Sequence, residues 1–118
     1  MTADVLADRL AQIRSRFVAK LPRMIDENEA ALSAVTGDGT EGIEITAEAY
    51  RRLHTIAGTG TTIGLAATGR AARDAETILI EAYRTRRALN ASEVASLREA
   101  LVALRQAAQG ELQASKPS

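Results

Sequence analysis

The spacing of the large apolar residues constrains this chain more than any other feature of its sequence. They recur at intervals of three and four along several segments, which is the period of one face of an α-helix. Aromatic residues make up only 3% of the chain, and residue types that favour strands are scarce. The pattern therefore predicts an all-α protein. Its first apolar stripe comprises Leu6, Leu10, Ile13, Phe17, Leu21 and Met24.

Residues that break helices divide the first half of the chain. Pro22 has no amide proton, so either the first helix kinks there or a second helix begins with it and runs to about Val35. Three glycines within residues 36–42 predict a loop. Thr46 is then expected to cap the next helix, which carries His54.

The second half of the chain contains two more helical segments. Gly64 predicts a turn after the His54 helix. A further helix is expected from about Leu65 to a cluster of basic residues at its C-terminal end, where cations complement the helix dipole; this cluster is Arg84, Arg86 and Arg87. Ser92 is expected to open the last helix, which ends before Gly110.

Amphipathic helices joined by short loops bury their apolar stripes most simply as an antiparallel bundle. The expected fold is therefore all-α: an antiparallel four-helix bundle with an additional N-terminal helix or a kinked helical extension. No composition shift marks a boundary, so residues 1–118 are expected to form one domain, with about residues 111–118 as a frayed tail.

Charge and composition limit the classes of partner. Fifteen basic residues balance fifteen acidic ones, so the chain lacks the basic excess that nucleic acid or an anionic membrane selects. The absence of cysteine excludes disulfides and thiolate chemistry and is typical of a reducing compartment. Residues 1–10 do not form a secretory signal, and no apolar run approaches the length of about 20 residues that spans a bilayer. We expect a cytoplasmic protein that binds neither membrane nor nucleic acid.

His54 is the only histidine and the main candidate for chemistry. On a helical wheel it lies about 100° from Leu53, at the edge of the buried arc, so we expect partial exposure. Ala57 and Gly58, one turn later, are small and leave the ring open to a second protein. Gly58 faces outward, where packing does not explain its helix penalty of about 0.5–1 kcal/mol, whereas Gly60 faces the core and suits close helix packing.

The segment Leu53–Leu65 resembles the signature of histidine-containing phosphotransfer (HPt) domains. That signature has an apolar residue before the histidine, usually a lysine three residues after it, then a glycine, and later an apolar residue with a glycine. The segment follows this pattern except at Ala57, where the lysine usually stands. Further positions that look like the family are Phe17, Leu21, Pro22 and residues 71–76.

The resemblance implies a four-helix bundle of a two-component phosphorelay in which His54 is the phosphoacceptor and Gly58 gives clearance beside the imidazole. It implies receiver domains of response regulators or hybrid histidine kinases as partners, with Mg²⁺ in the receiver and no cofactor or metal of the chain's own. The lysine would hold the phosphoryl group, so Ala57 predicts an altered rate or lifetime, and Arg51, one turn before His54, is a candidate helper.

Without a nucleotide-binding motif, the chain is expected to be a phosphoryl carrier rather than a stand-alone kinase. It is also expected to be a monomer. The glycines from Gly37 to Gly42 lack the Gly-Lys-Ser/Thr ending of a phosphate-binding loop and are interpreted as a connector. The alternative function is an HPt-like interaction or adaptor module that binds a receiver or kinase without phosphotransfer, which Ala57 motivates. In an arbitrary helical protein a single histidine is more often an ordinary surface residue, and a purely structural bundle remains a third interpretation.

Overall fold

A computed structural model describes residues 2–34 and 40–114, and these residues form four α-helices and no β-strand. Each helix packs against its neighbours in the chain, and the first also packs against the last, which closes a four-helix bundle. The all-α bundle predicted from the apolar spacing is confirmed. None of the described helices has an apolar stretch long enough to cross a membrane. The helices are α1 Ala3–Ala31, α2 Thr40–Thr62, α3 Ala66–Thr85 and α4 Ala91–Ala114.

The core consists of leucine, isoleucine and alanine side chains together with Phe17, and each helix contributes to it. The α2 and α3 helices approach closely because small residues face each other at their crossing. A Cβ built on Gly60 would lie 3.4 Å from the Cα of Gly69, so Gly60 faces a neighbouring helix as predicted. This close contact fixes the side chains of α2 relative to those of α3. The largest fully buried apolar residues are Leu21, Leu53, Ile56, Leu65, Leu79, Leu97, Leu101 and Leu104.

The N-terminal segment is one helix, not two. Pro22 lies on the exposed side of α1, and the helix continues through it to Ala31. The additional N-terminal helix of the sequence prediction is therefore the first half of α1 itself. Its apolar stripe was expected to be buried, but the first buried residue of α1 is Phe17. Leu6, Leu10 and Ile13 lie before this residue and are exposed.

The start of α2 also differs from the sequence prediction. Thr40 already lies in the helix, so Thr40–Gly42 are helical rather than part of a loop. Thr46 is not a cap, because it is buried in α2 and its hydroxyl donates to the carbonyl of Gly42 at 2.8 Å. Residues 36–39 of the expected loop lie outside the described residues, as does Val35.

Two turns between the later helices have clear local causes. Gly64 adopts a left-handed conformation with φ of 88° directly after α2, as its position predicts. Asn90, not Ser92, caps α4: its side-chain oxygen accepts from the amide of Glu93 at 2.8 Å, while the Glu93 carboxylate accepts from the amide of Asn90 at 3.0 Å. Arg87 donates to Glu93, and this hydrogen bond is the main reason why the pKa of Glu93 is lowered.

The C-terminal end of α4 is ordered beyond Gly110. Residues 111–114 were expected to fray, but they form the last turn of α4, and the four residues that follow lie outside the described part of the chain. The Glu111 carboxylate accepts from the amide and the hydroxyl of Thr68, both at 2.6 Å, and from the amide of Ala67 at 3.2 Å. These groups belong to the first turn of α3, which has no helical partner for its amides. Burial disfavours the charged form of Glu111, but these hydrogen bonds outweigh it and lower its pKa.

Candidate functional site

His54 projects from the outer surface of α2. Its side chain is 70% exposed, while Leu53 and Ile56 on either side of it are fully buried and fix the rotation of the helix. The exposure agrees with the position of His54 at the edge of the buried arc. The ring is therefore open to another molecule but has a defined direction.

One nitrogen of the ring is already engaged. Nδ1 of His54 lies 2.7 Å from Oε1 of Glu76, which comes from α3 and whose side chain is only 13% exposed. An ionised carboxylate can only accept hydrogen bonds, so the contact assigns the imidazole proton to Nδ1. In the neutral ring Nε2 then carries the free lone pair. Glu76 thus orients His54 and selects its nucleophilic nitrogen.

The chain's two tyrosines complete one side of the site. The ring of Tyr50 stacks on the imidazole of His54 with centroids 6.0 Å apart, and the ring of Tyr83 stacks on Tyr50 at 4.2 Å. Burial raises the pKa of Tyr50, as do the charge of Glu76 and the hydrogen bond between the two side chains. Glu76 therefore contacts His54 directly and acts on Tyr50 through its charge, and the ring of Tyr50 lies on the imidazole.

An open cavity of about 240 Å³ lies beside the imidazole, between α2 and α3. Ala57 is buried and forms part of its floor. A Cβ built on Gly58 would meet no described atom within 4 Å, so this side of the cavity is open, as the outward direction of Gly58 predicts. The cavity is lined by His54, Ala57, Gly58, Arg73, Glu76, Thr77 and Ile80.

Arg73 is the one cationic side chain among the described residues that line this cavity. Arg51, the candidate helper, instead lies in a separate groove at the other end of the α2–α3 pair, together with Arg84 and Arg86. The structure thus brings Ala57 and Gly58 to His54 but leaves Arg51 outside the cavity. The cation beside the ring comes from α3.

Glu76 and Arg73 are the two charged members of the site to which sequence reasoning assigned no role. Both lie in the segment 71–76, which drew attention only as a weaker part of the resemblance. Glu76 is 22 residues from His54 along the chain, and no spacing rule connects positions on two different helices. The available signal was that residues three apart on one helix, such as Arg73 and Glu76, share a face.

The arrangement can perform nucleophilic chemistry on a group presented from outside. It offers an exposed imidazole with one nitrogen held by a carboxylate, a neighbouring guanidinium and room beside the ring. Among the described residues, no three His, Asp or Glu side chains lie close enough together to hold a metal ion.

Comparison with known proteins gives one result. A family model described as the Hpt domain matches residues 12–107, which is most of the chain and includes all of α2 and α3. The match leaves out the first turns of α1 and the end of α4. No curated protein and no solved structure gave a significant match.

Proposed function

The chain belongs to the Hpt domain family and is thus a histidine phosphotransfer module, and we propose that its His54 accepts a phosphoryl group from the aspartyl phosphate of one receiver domain and passes it to another. The observation that carries this proposal is the 2.7 Å contact of His54 with Glu76 on a ring that is 70% exposed. The contact leaves one nitrogen free, and the exposure lets a second protein reach it.

The transfer follows from this geometry. Nε2 of His54 attacks phosphorus in line, the new N–P bond forms as the P–O bond to the aspartate breaks, and the aspartate leaves as a carboxylate. The proton on Nδ1 stays in its hydrogen bond to Glu76. As the ring donates its lone pair it becomes positively charged, and the adjacent carboxylate stabilises that charge. Transfer to the next receiver reverses these steps.

Arg73 supports the same step electrostatically. Phosphoryl transfer depends mainly on positioning and on neutralising the three equatorial oxygens. Arg73 lines the cavity beside the imidazole, so in this proposal it takes the role that the resemblance gives to a lysine at the position of Ala57. The Mg²⁺ of the reaction belongs to the receiver in this proposal, and the module acts in the cytoplasm as a monomer.

Labelling from a phosphorylated receiver tests the proposal. The wild-type chain should acquire an acid-labile, alkali-stable label, and His54→Gln should acquire none. Thr55→Gln is the matched control, because Thr55 is the exposed neighbour of His54 on the same helix, and it should retain the label. The proposal is wrong if several receivers fail to label the wild type, or if His54→Gln is labelled to the same extent.

Ala57 supports a second function, that of an adaptor which binds a receiver or kinase without phosphotransfer. It is buried at the base of the cavity in the place where the family usually carries its lysine. For an adaptor, the wild type would bind a receiver without becoming labelled, and His54→Gln would bind equally well. Label that depends on His54 would eliminate this alternative.

A further inference from the structure

Tyr50 lies one turn before His54 on α2, and its ring stacks on the imidazole. Residues four apart on a helix are neighbours, and helical side chains point back toward the N-terminus, so the imidazole lies over the turn that carries Tyr50. The two ring planes are 17° from parallel, and their centroids are 6.0 Å apart. This is the offset stacking that aromatic pairs prefer. Tyr50 therefore covers one face of the imidazole.

Tyr50 is itself held by contacts from α3 and from the core. Tyr83 of α3 stacks on its ring with centroids 4.2 Å apart and planes 12° from parallel. Tyr50 is partly buried and packs against the core cluster, whereas Tyr83 is 37% exposed. The ring of Tyr50 thus has a defined position before any partner arrives.

The other contacts of His54 do not fix the plane of its ring. Glu76 holds a single atom, Nδ1, at 2.7 Å, and one hydrogen bond leaves the ring able to swing about that atom. The side chain of His54 is 70% exposed. In the next turn of α2, Ala57 and Gly58 line an open cavity, and a Cβ built on Gly58 would meet no described atom within 4 Å. The ring of Tyr50 is therefore the flat surface against which the imidazole rests.

The stacking contact should become stronger when the imidazole is charged. In the proposed transfer, Nε2 of His54 bonds to phosphorus while the proton stays on Nδ1, so the ring gains a positive charge. The π face of a tyrosine is electrically negative and attracts a cation that lies within about 6 Å of its centroid. An interaction that strengthens as the charge develops lowers the barrier, because it favours the transition state over the ground state.

We propose that Tyr50 is a positioning residue for His54, whose ring limits the swing of the imidazole and stabilises the positive charge that the imidazole gains during phosphoryl transfer. This inference rests on the proposed function, because it concerns His54 as a phosphoacceptor. It adds a restraint on the face of the ring to the restraint that Glu76 places on its edge. The two restraints come from different helices, since Tyr50 belongs to α2 and Glu76 to α3.

Phosphoramidate tests the proposal on the full chain without a receiver. Nε2 of His54 attacks the phosphorus of this small donor, the phosphorus–nitrogen bond of the donor breaks and ammonia leaves, so docking does not affect the rate. Tyr50→Leu removes the ring but keeps an apolar side chain. We expect its labelling rate constant to fall about threefold, the factor that a cation–π contact at an exposed site supplies. Tyr50→Phe loses only the hydroxyl and should retain the wild-type rate.

Proton NMR gives a second readout that does not depend on the reaction. His54 is the only histidine of the chain, so the resonances of its two carbon-bound ring protons can be assigned directly. A stacked aromatic ring displaces the resonances of protons that lie over its face. We expect this displacement in the wild type and in Tyr50→Phe, and we expect it to disappear in Tyr50→Leu.

Ile45→Ala is the control for a general loss of stability. Ile45 is partly buried in the same helix, packs against the core and lies nine residues before His54. Its truncation should lower the midpoint of thermal unfolding, as Tyr50→Leu should, but it should leave the labelling rate and the His54 resonances unchanged. Equal slowing in Ile45→Ala and Tyr50→Leu would show that the stability of α2, and not the stacked ring, sets the rate.

Other outcomes would also overturn the proposal. If Tyr50→Leu is labelled as fast as the wild type, the stacked ring has no role in the reaction. If Tyr50→Phe slows as much as Tyr50→Leu, the hydroxyl is responsible and the ring face is not. Absence of any phosphoramidate label that His54→Gln abolishes would overturn it too. Label from phosphoramidate but from no receiver would instead contradict the proposed function, and slower labelling of Tyr50→Leu would then still support the role of Tyr50.

Discussion

At His54 the two ring nitrogens have different surroundings, and this difference is the main chemical property of the site. Nδ1 is held by Glu76 at 2.7 Å, and Glu76 itself is largely enclosed between α2 and α3. A largely enclosed carboxylate has few alternative orientations, so the hydrogen bond is present before a partner arrives. The ring consequently loses little rotational freedom when it reacts.

Replacing Glu76 with Gln tests whether this contact selects the reactive nitrogen. The amide is similar in size but can donate as well as accept, so it no longer requires the proton to be on Nδ1. We expect roughly tenfold slower transfer in single-turnover labelling, by analogy with the loss seen when the partner that orients a metal-bound histidine is changed. Nitrogen-15 NMR of the imidazole should show a new population with the proton on Nε2.

The control for this variant is Glu81→Gln, an exposed glutamate on the same helix. It should change neither the transfer rate nor the tautomer. If Glu76→Gln slows transfer while the tautomer stays on Nδ1, Glu76 acts through charge alone and the assignment of the nitrogen by this contact is wrong.

Sequence alone predicted the direction of His54 but not its partner. The direction follows from a period of 3.6 residues and one buried neighbour, so a helical wheel is sufficient for His54 and Gly58. The contact with Glu76 depends on how far α3 is rotated and shifted against α2. That relation is set by packing at Gly60 and Gly69, which no local pattern encodes.

Among the helices, α2 and α3 are held at a short distance by Gly69. A Cβ on this residue would lie 2.5 Å from the hydroxyl of Thr61 and 3.1 Å from the carbonyl of Ala57. The Thr61 hydroxyl itself donates a hydrogen bond to the Ala57 carbonyl at 2.8 Å, so the two atoms that a Cβ would clash with are bonded to each other. The two helices would have to separate to accept any side chain here.

We therefore expect Gly69→Ala to reduce the free energy of unfolding by about 1–3 kcal/mol, the usual range for overpacking. Gly58→Ala is the matched control in α2. Its Cβ would meet no described atom, so it should raise the free energy of unfolding by about 0.5–1 kcal/mol through helix propensity. Urea denaturation measures both effects, and equal changes in the two variants would contradict the close approach of α2 and α3.

The hydrogen bonds between the first turn of α3 and the Glu111 carboxylate of α4 should make the stability of the fold depend on pH. Its pKa is lowered in the folded chain, so its contribution to stability is present above the unfolded value of about 4.3 and is lost as the pH falls through the folded value. At pH 7 we expect Glu111→Gln to lower the free energy of unfolding by about 1–2 kcal/mol. The difference from the wild type should shrink as the pH is lowered from about 5 to 3.

The exposed residue Glu99 on the same helix provides the comparison. Glu99→Gln should leave the free energy of unfolding nearly unchanged across this pH range, since Glu99 is not among the side chains that bond to α3. If the free energy of unfolding of Glu111→Gln stays below that of the wild type by the same amount from pH 7 to pH 3, the charge of Glu111 is not what stabilises the start of α3.

Element boundaries were harder to predict than the elements. Thr46 and Ser92 are both competent caps, but the bundle buries Thr46 and places Asn90 before α4. A cap forms where the chain enters the bundle, and that point is a property of the assembled helices. Similarly, the spacing from Leu6 to Ile13 correctly predicts a shared face, but it carries no information on whether another helix lies against that face.

At the scale of the whole molecule, the 29-residue helix α1 makes the protein long for its size, with extents of 51, 31 and 18 Å. Deleting residues 1–11 removes no side chain that is buried among the described residues 2–11, and it retains the whole matched family range. We expect this deletion to change the free energy of unfolding by less than about 1 kcal/mol, as for other exposed residues. Calorimetry measures the change, and receiver labelling of His54 should persist.

A matching deletion at the other end of the chain provides the contrast. Removing residues 111–118 takes away Glu111 and its bonds to Thr68, and it should destabilise the bundle more than deletion of residues 1–11 does. If deletion of residues 1–11 is the more damaging of the two, α1 contributes to the core well before Phe17.

The stacked rings beside His54 also have a practical consequence. The chain has no tryptophan, and both of its tyrosines belong to this stack. Its intrinsic ultraviolet emission therefore originates entirely from the face that carries the imidazole. Arrival of a phosphoryl group or docking of a receiver can be followed by tyrosine fluorescence in the unlabelled protein, without attaching any dye near the reacting nitrogen.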